Sequence, residues 1–123
     1  MERRSFLLLL GATPVAAAPR ERRRHGRYRA LTFVATAHSI RGKTASGSHA
    51  KPGTAAADPK VLPLGTRIHV IGAGAYSRGY TITDTGPAVR GRRIDLYMAS
   101  YAEARKFGRQ RVKVIVLKRG KSR

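Results

Sequence analysis

The chain has 123 residues, 41% of them hydrophobic, which is room for one small domain with a modest core. It contains no Cys, which excludes a disulfide framework and any thiolate metal site. Lys and Arg number 26 against 6 acids, a formal net charge of +20, so the surface as a whole attracts polyanions and repels basic partners.

At the start of the chain, Arg3 and Arg4 precede the apolar run Phe6 to Leu10 and a small-residue stretch from Gly11 to Ala18. Basic, apolar and Ala-x-Ala segments in that order read as an export signal over residues 1–18. Arg3-Arg4-Ser5-Phe6-Leu7 also resembles the twin-arginine motif. The apolar run is well short of the ~20 residues a membrane helix needs. The alternative is a short apolar tail on a cytosolic protein. Residues 19–29 form a basic run without apolar periodicity, expected to be a disordered arm. Residues 119–123 are expected to form a second basic tail, which leaves residues 30–118 for the folded domain.

Within that region short strands dominate. Leu31 to Ala37 alternates, with Leu31, Phe33, Ala35 and Ala37 on one face. Residues 41–54 are rich in Gly, Ser and Pro and predict a loop. Pro63-Leu64-Gly65-Thr66 is a turn before a strand at Arg67 to Ile71, and Gly72-Ala73-Gly74 breaks the chain before a strand from Tyr76 to Asp84. Gly86-Pro87 and Gly91 bracket a loop, followed by a strand from Arg93 to Met98. Ser100 and Glu103 form a capping box for one helix, with Gly108 placed to stop it. The last strand is Val112 to Leu117. About six short strands with one or two short helices predict a mainly β fold, and closure into a small barrel removes the sheet edges.

The acids are Glu2, Glu21, Asp58, Asp84, Asp95 and Glu103. Glu103 is explained by the capping box, and Glu2 and Glu21 fall in the leader and arm, so three aspartates remain in the patterned core. In the strand at Arg93 to Met98, alternation sends Ile94, Leu96 and Met98 inward and puts Arg93, Asp95 and Tyr97 together on the other face. An acid, a cation and an aromatic on one face suit a sugar. Asp84 ends its strand before a turn, where binding groups often sit. The alternative is that Asp84 caps the turn and Asp95 pairs with Arg93. His38, His49 and His69 have no metal-ligand spacing and read as surface or core residues.

One set of motifs is specific as an ordered series: Thr44-Ala45-Ser46-Gly47, Ala57-Asp58-Pro59 through Pro63-Leu64-Gly65-Thr66, Thr83-Asp84-Thr85-Gly86, Gly91-Arg92-Arg93-Ile94-Asp95-Leu96-Tyr97, and Phe107-Gly108-Arg109. From about Phe33 to Leu117 the chain thereby resembles the three-aspartate (3D) domain family, with Asp58, Asp84 and Asp95 as the naming aspartates. The resemblance implies a double-psi β-barrel, like those of membrane-bound lytic transglycosylase A, rare lipoprotein A and the expansins. It implies non-hydrolytic cleavage of peptidoglycan between N-acetylmuramic acid and N-acetylglucosamine, in which the muramyl C6 hydroxyl attacks C1 and leaves a 1,6-anhydro end. By resemblance Asp95 is the catalytic acid and Asp84 its close partner, while Asp58 is a structural or substrate-orienting residue. The expected sugar contacts are Asp58, Thr85, Gly86, Arg93 and Tyr97, with no metal and no cofactor. A single carboxyl serving as acid and then base must hold a proton above the reference value of ~3.9, and a neighbouring Asp84 carboxylate is expected to push Asp95 that way. Pro87 departs from the family's more usual Gly at that position and resembles the rare lipoprotein A pattern.

The expected setting is the periplasm or cell envelope, with glycan strands as the partner, a monomeric chain, and the basic arm touching anionic wall polymer or lipid. A wall-binding or wall-loosening barrel without turnover is the alternative. A nucleic-acid binder is favoured by charge alone, but the densest basic runs lie in the tails rather than among stacking aromatics on a sheet face.

Overall fold

The alternation at the start of the folded region becomes β1 (Ala30–His38), with Phe33 and Ala35 buried and Thr36 and His38 turned to the outer face. The computed structural model describes residues 28–121. The expected export signal, most of the basic arm and the last two tail residues lie outside the described residues.

Five more strands follow: β2 (Thr54–Ala57), β3 (Arg67–Ile71), β4 (Gly79–Asp84), β5 (Arg93–Tyr97) and β6 (Gln110–Lys118). They close in the order β1-β5-β2-β4-β3-β6. β1 runs parallel to β5 and β2 runs parallel to β4, while the other contacts are antiparallel. Two parallel contacts between strands distant in sequence interlock the halves of the barrel, which is the double-psi arrangement. Its interior is filled by Phe33, Ile68, Val70, Ile82, Ile94, Leu96 and Val114, each essentially without exposure.

Three expectations are corrected. Residues 41–54 were expected to be loop throughout, but Thr54 opens β2, and the strand itself went unpredicted. Its Thr-Ala-Ala-Ala sequence has weak strand propensity, yet all four residues are buried between β4 and β5. Tertiary pairing makes this strand, since strand preference reflects burial and packing against neighbours more than the intrinsic tendency of the residue. The strand expected from Tyr76 begins only at Gly79, because Gly74–Tyr76 is a 3₁₀ turn whose preceding Ala73 N–H is held by Ser77 Oγ at 2.8 Å. The loop after Ile40 is also more ordered than its composition suggests. Lys43 bridges to His49, the Thr44 N–H donates to Ser48 O at 2.8 Å, and the Thr44 hydroxyl donates to the same oxygen.

Helix α1 (Tyr101–Phe107) starts where the capping box placed it, with Ser100 Oγ accepting the Glu103 N–H at 3.1 Å. It buries Ala104 and Phe107, and the Phe107 ring meets Tyr76 edge-on at 5.7 Å. Beyond β6 the chain stays docked at least to Gly120, whose N–H donates to Thr66 Oγ1 at 2.9 Å. A Cβ there would overlap Leu64 O, so only glycine permits the approach.

Candidate active site

The register across four neighbouring strands lays out one row on the outer face. Thr36 of β1 pairs with Asp95 of β5, Asp95 pairs with Ala56 of β2, and Ala56 pairs with Asp84 of β4. Alternation alone would put Asp84 on the same face as Tyr80 and Ile82, which are buried. A bulge prevents this: β2 advances from Ala55 to Ala56 while β4 advances from Ile82 to Asp84. The extra residue, Thr83, flips Asp84 outward to the face that carries Asp95.

Asp84 and Asp95 both line a cleft of about 180 Å³, floored by Ala56 and walled by His38, Thr44, Thr85, Gly86 and Val89, with Arg41 and Lys43 at its basic side. The two aspartates are separated by a whole strand, so their Cα atoms lie roughly 10 Å apart at the usual strand spacing. Of the expected site residues, the structure brings Asp84, Asp95, Thr85 and Gly86 to this cleft. Asp58, Arg93 and Tyr97 do not line it.

Asp95 is gripped at both oxygens. The Thr36 hydroxyl donates to Oδ1 at 2.8 Å, and His38 Nδ1 lies 2.9 Å from Oδ2. The His38 ring N–H is directed off the line to Oδ2, so this is an electrostatic contact more than a well-formed hydrogen bond. Burial pushes the Asp95 carboxyl up, but His38, Thr36 and the charge of Arg93 outweigh it and hold Asp95 below the ordinary aspartate value. This overturns the expectation that Asp84 raises it. Asp84 is not among the groups acting on Asp95, because the Ala56 strand stands between them.

Asp84 is itself held in place. Its Oδ1 accepts the N–H of Ala45 at 3.0 Å and of Thr85 at 2.9 Å, and Ser46 N–H donates to Thr83 O at 2.9 Å. The Thr44-Ala45-Ser46-Gly47 segment thus docks the loop onto the end of β4. Arg93 faces Asp95 through charge, and its Nε is buried without a hydrogen-bond partner among the described residues. Tyr97 is 8% exposed, so its ring offers little open face as a sugar platform; it braces His38 edge-on at 5.7 Å.

Asp58 works at a distance from the cleft. Its side chain accepts the N–H of Lys60 at 3.0 Å and of Gly91 at 2.8 Å, and its carbonyl accepts from Val61 and Leu62. Gly91 sits at φ +66°, a conformation that favours glycine, and its bond to Asp58 fixes the loop carrying Thr85 and Gly86. The Gly91 and Lys60 N–H bonds, aided by Arg90, hold the Asp58 carboxyl below its ordinary value despite some burial. A carboxyl whose folded pKa is depressed adds stability that is present above its unfolded value of ~3.9 and lost as pH falls through the folded one. Denaturant midpoints measured from pH 7 to pH 2 should therefore drop below about pH 4. Asp58→Asn should start lower at pH 7 and lose less across that window. An unchanged pH 7 midpoint in the variant would remove Asp58 from this role.

Thr36 and His38 were missed by sequence reasoning. Their signal was present as outward positions of β1 opposite Phe33 and Ala35, but nothing local says which strand lies beside them.

The sequence model of the 3D domain matches residues 53–118. The chain is 36% identical over 96 residues to the cell wall-binding protein YocH of Bacillus subtilis, covering 71% of this chain and 32% of YocH. It is 34% identical over 90 residues to YabE of the same organism, to which a cell wall shaping role is ascribed, covering 69% of this chain and 21% of YabE. The chain thus spans less than a third of the length of either relative. Among solved structures, the barrel is similar to MltA from E. coli, with a TM-score of 0.55 and 25% identity over 64% of this chain and 28% of MltA. MltA is a lytic transglycosylase, and one of its structures holds chitohexaose.

Proposed function

The chain belongs to the 3D domain family, and from that membership we propose that it acts on the glycan strands of the bacterial cell wall as a lytic transglycosylase. The observation that carries this reading is the convergence of Asp84 and Asp95 on one cleft across Ala56, in a barrel like that of MltA. Cleavage joins the muramyl C6 oxygen to C1 as the glycosidic oxygen leaves, so one proton is delivered and one removed. No water enters, and a single acid–base centre at Asp95 suffices, whereas a hydrolase needs two carboxylates spaced around a water. Asp84 lies across the cleft with Oδ1 already engaged, suited to orienting a sugar hydroxyl. Thr85 and Gly86 line the same wall, and Arg41 and Lys43 suit the carboxylates of muramyl peptide stems. Arg93 and Tyr97 act through Asp95 and His38 rather than on the sugar. We place the protein in the cell envelope after export through residues 1–18, with the basic arm at residues 19–29 meeting anionic wall polymers.

A second reading is favoured by one observation: Asp95 is held in its ionised form, which suits binding more readily than acid catalysis. A non-catalytic wall-binding barrel follows from it. Digestion of purified sacculi followed by mass spectrometry separates the readings. Muropeptides with 1,6-anhydro ends are the expected product. Reducing ends mean hydrolysis, and sacculus binding with no released fragment leaves the wall-binding barrel.

A further inference from the structure

β2, which floors the cleft, and β6 stand opposite one another in the closed ring of strands. The outer face around β6 is built from antiparallel β1, β6 and β3, and its chemistry differs from that of the cleft side. The acids of the described region are Asp58 just after β2, Asp84 on β4, Asp95 on β5 and Glu103 on α1. None lies on β1, β3 or β6, whereas Arg67, Arg111, Lys113 and Lys118 are all exposed on β3 and β6. Lys113 Nζ donates to Thr32 Oγ1 at 2.7 Å, which holds its ammonium against the face of β1. Arg67 and Lys118 stand directly opposite each other across the β3–β6 pair, an arrangement that costs stability until an anion meets them. Apolar groups are mixed into the same face: Ile71 pairs with Lys113 and is 44% exposed, and Leu117 beside Lys118 is 45% exposed. The register that pairs Ala30 with Ile115, continued by two residues, brings Tyr28 alongside Leu117, and Tyr28 is 47% exposed.

We propose that this face docks the protein on a bilayer surface carrying anionic phosphate headgroups. Its cations, on strands that hold no carboxylate, attract the headgroup layer, an effect of roughly fivefold in partitioning for each basic residue near the surface. Ile71, Leu117 and Tyr28 supply the second half of such a contact, apolar and aromatic groups that leave water for the acyl boundary. Among the described residues these are three of the five large hydrophobic side chains left exposed, so exposed apolar surface is concentrated where the cations are. A phosphodiester polymer in solution would use the cations and leave the apolar groups idle, which favours the bilayer. With β6 on the bilayer, the Ala56 floor and its cleft face the opposite way, so docking leaves the glycan site open. The face is separate from the basic arm, and it acts in the same way whether the cleft cleaves glycan or only holds it.

The chain has no Cys, so one introduced cysteine gives a single labelled position in the full chain. A polarity-sensitive fluorophore at Leu117→Cys should shift to the blue with vesicles of phosphatidylcholine and phosphatidylglycerol. The same label at Lys51→Cys, just before β2, should not shift. No shift at Leu117→Cys, or an equal one at Lys51→Cys, overturns the proposal. Sedimentation with the same vesicles then separates the contributions. Arg111→Gln/Lys113→Gln should weaken binding by roughly 10–30-fold, and Ile71→Ser/Leu117→Ser by about tenfold. Lys51→Gln/Lys60→Gln removes the same charge at the two ends of β2 and should bind within about threefold of wild type. Equal losses in the two charge variants would mean that net charge acts without this face, against the proposal. Vesicle binding by the Ile71→Ser/Leu117→Ser variant within about threefold of wild type would leave a surface for a phosphodiester polymer, and the bilayer assignment fails.

Discussion

Asp95→Asn is expected to lower the release of 1,6-anhydro ends from sacculi by roughly 10²–10⁴-fold, the usual contribution of a positioned acid–base group. Asparagine keeps the shape of the side chain and an oxygen that can still accept the Thr36 hydroxyl. It cannot hold a proton, and it removes the negative charge beside His38. The loss follows because, in the proposed mechanism, the substitution removes the group that gives and then takes the proton. Binding to sacculi should change little, since Asp84 keeps its bonds to Ala45 and Thr85 and the Ala56 floor is untouched. Both quantities come from one experiment, with soluble anhydromuropeptides measured against protein pelleted with the sacculi. A variant that retains more than about a tenth of wild-type release would exclude Asp95 from the chemistry.

Phe33→Ala is expected to be the most costly single truncation in the barrel, about 3–5 kcal/mol. The ring is 1% exposed, on a strand paired with both β5 and β6, so neighbouring backbone cannot collapse into the space it leaves. For a domain of this size that is a large part of a typical stability of ~5–15 kcal/mol, and Tm should fall by more than ~12 °C. Thermal unfolding followed by circular dichroism measures it. A shift under ~4 °C would mean the core is not organised around this residue. The same strand carries Thr36 and His38 on its other face, so the site inherits its rigidity from the packing of Phe33.

Strands with a strong two-residue period were legible without a structure. β3 spans Arg67–Ile71 as expected, β5 sends Ile94 and Leu96 inward, and the Ser100 cap starts α1 where it should. β2 was not legible, because an alanine-rich segment becomes a strand only when two others flank it. The motif series also named the three aspartates, of which the structure brings Asp84 and Asp95 to one cleft and leaves Asp58 away from it, bonded to the Gly91 N–H. Their relation was misjudged. Nearness along a motif series carries no distance, and the strand that separates Asp84 from Asp95 belongs to a different part of the chain.

By itself, the sequence determined the fold class, the inward faces of the strands, the helix cap and the identity of the acids, since these follow from local periodicity and from residue chemistry. Tertiary structure alone decided the electrostatics of the site. Parallel pairing of β1 with β5 brought Thr36 to Asp95 across 59 positions of chain and put His38 beside it, turning an expected raised carboxyl into a lowered one. A single extra residue at Thr83 turned Asp84 from the core face to the cleft. Both outcomes depend on register between strands remote in sequence, and register is set by how the whole barrel closes rather than by any segment within it.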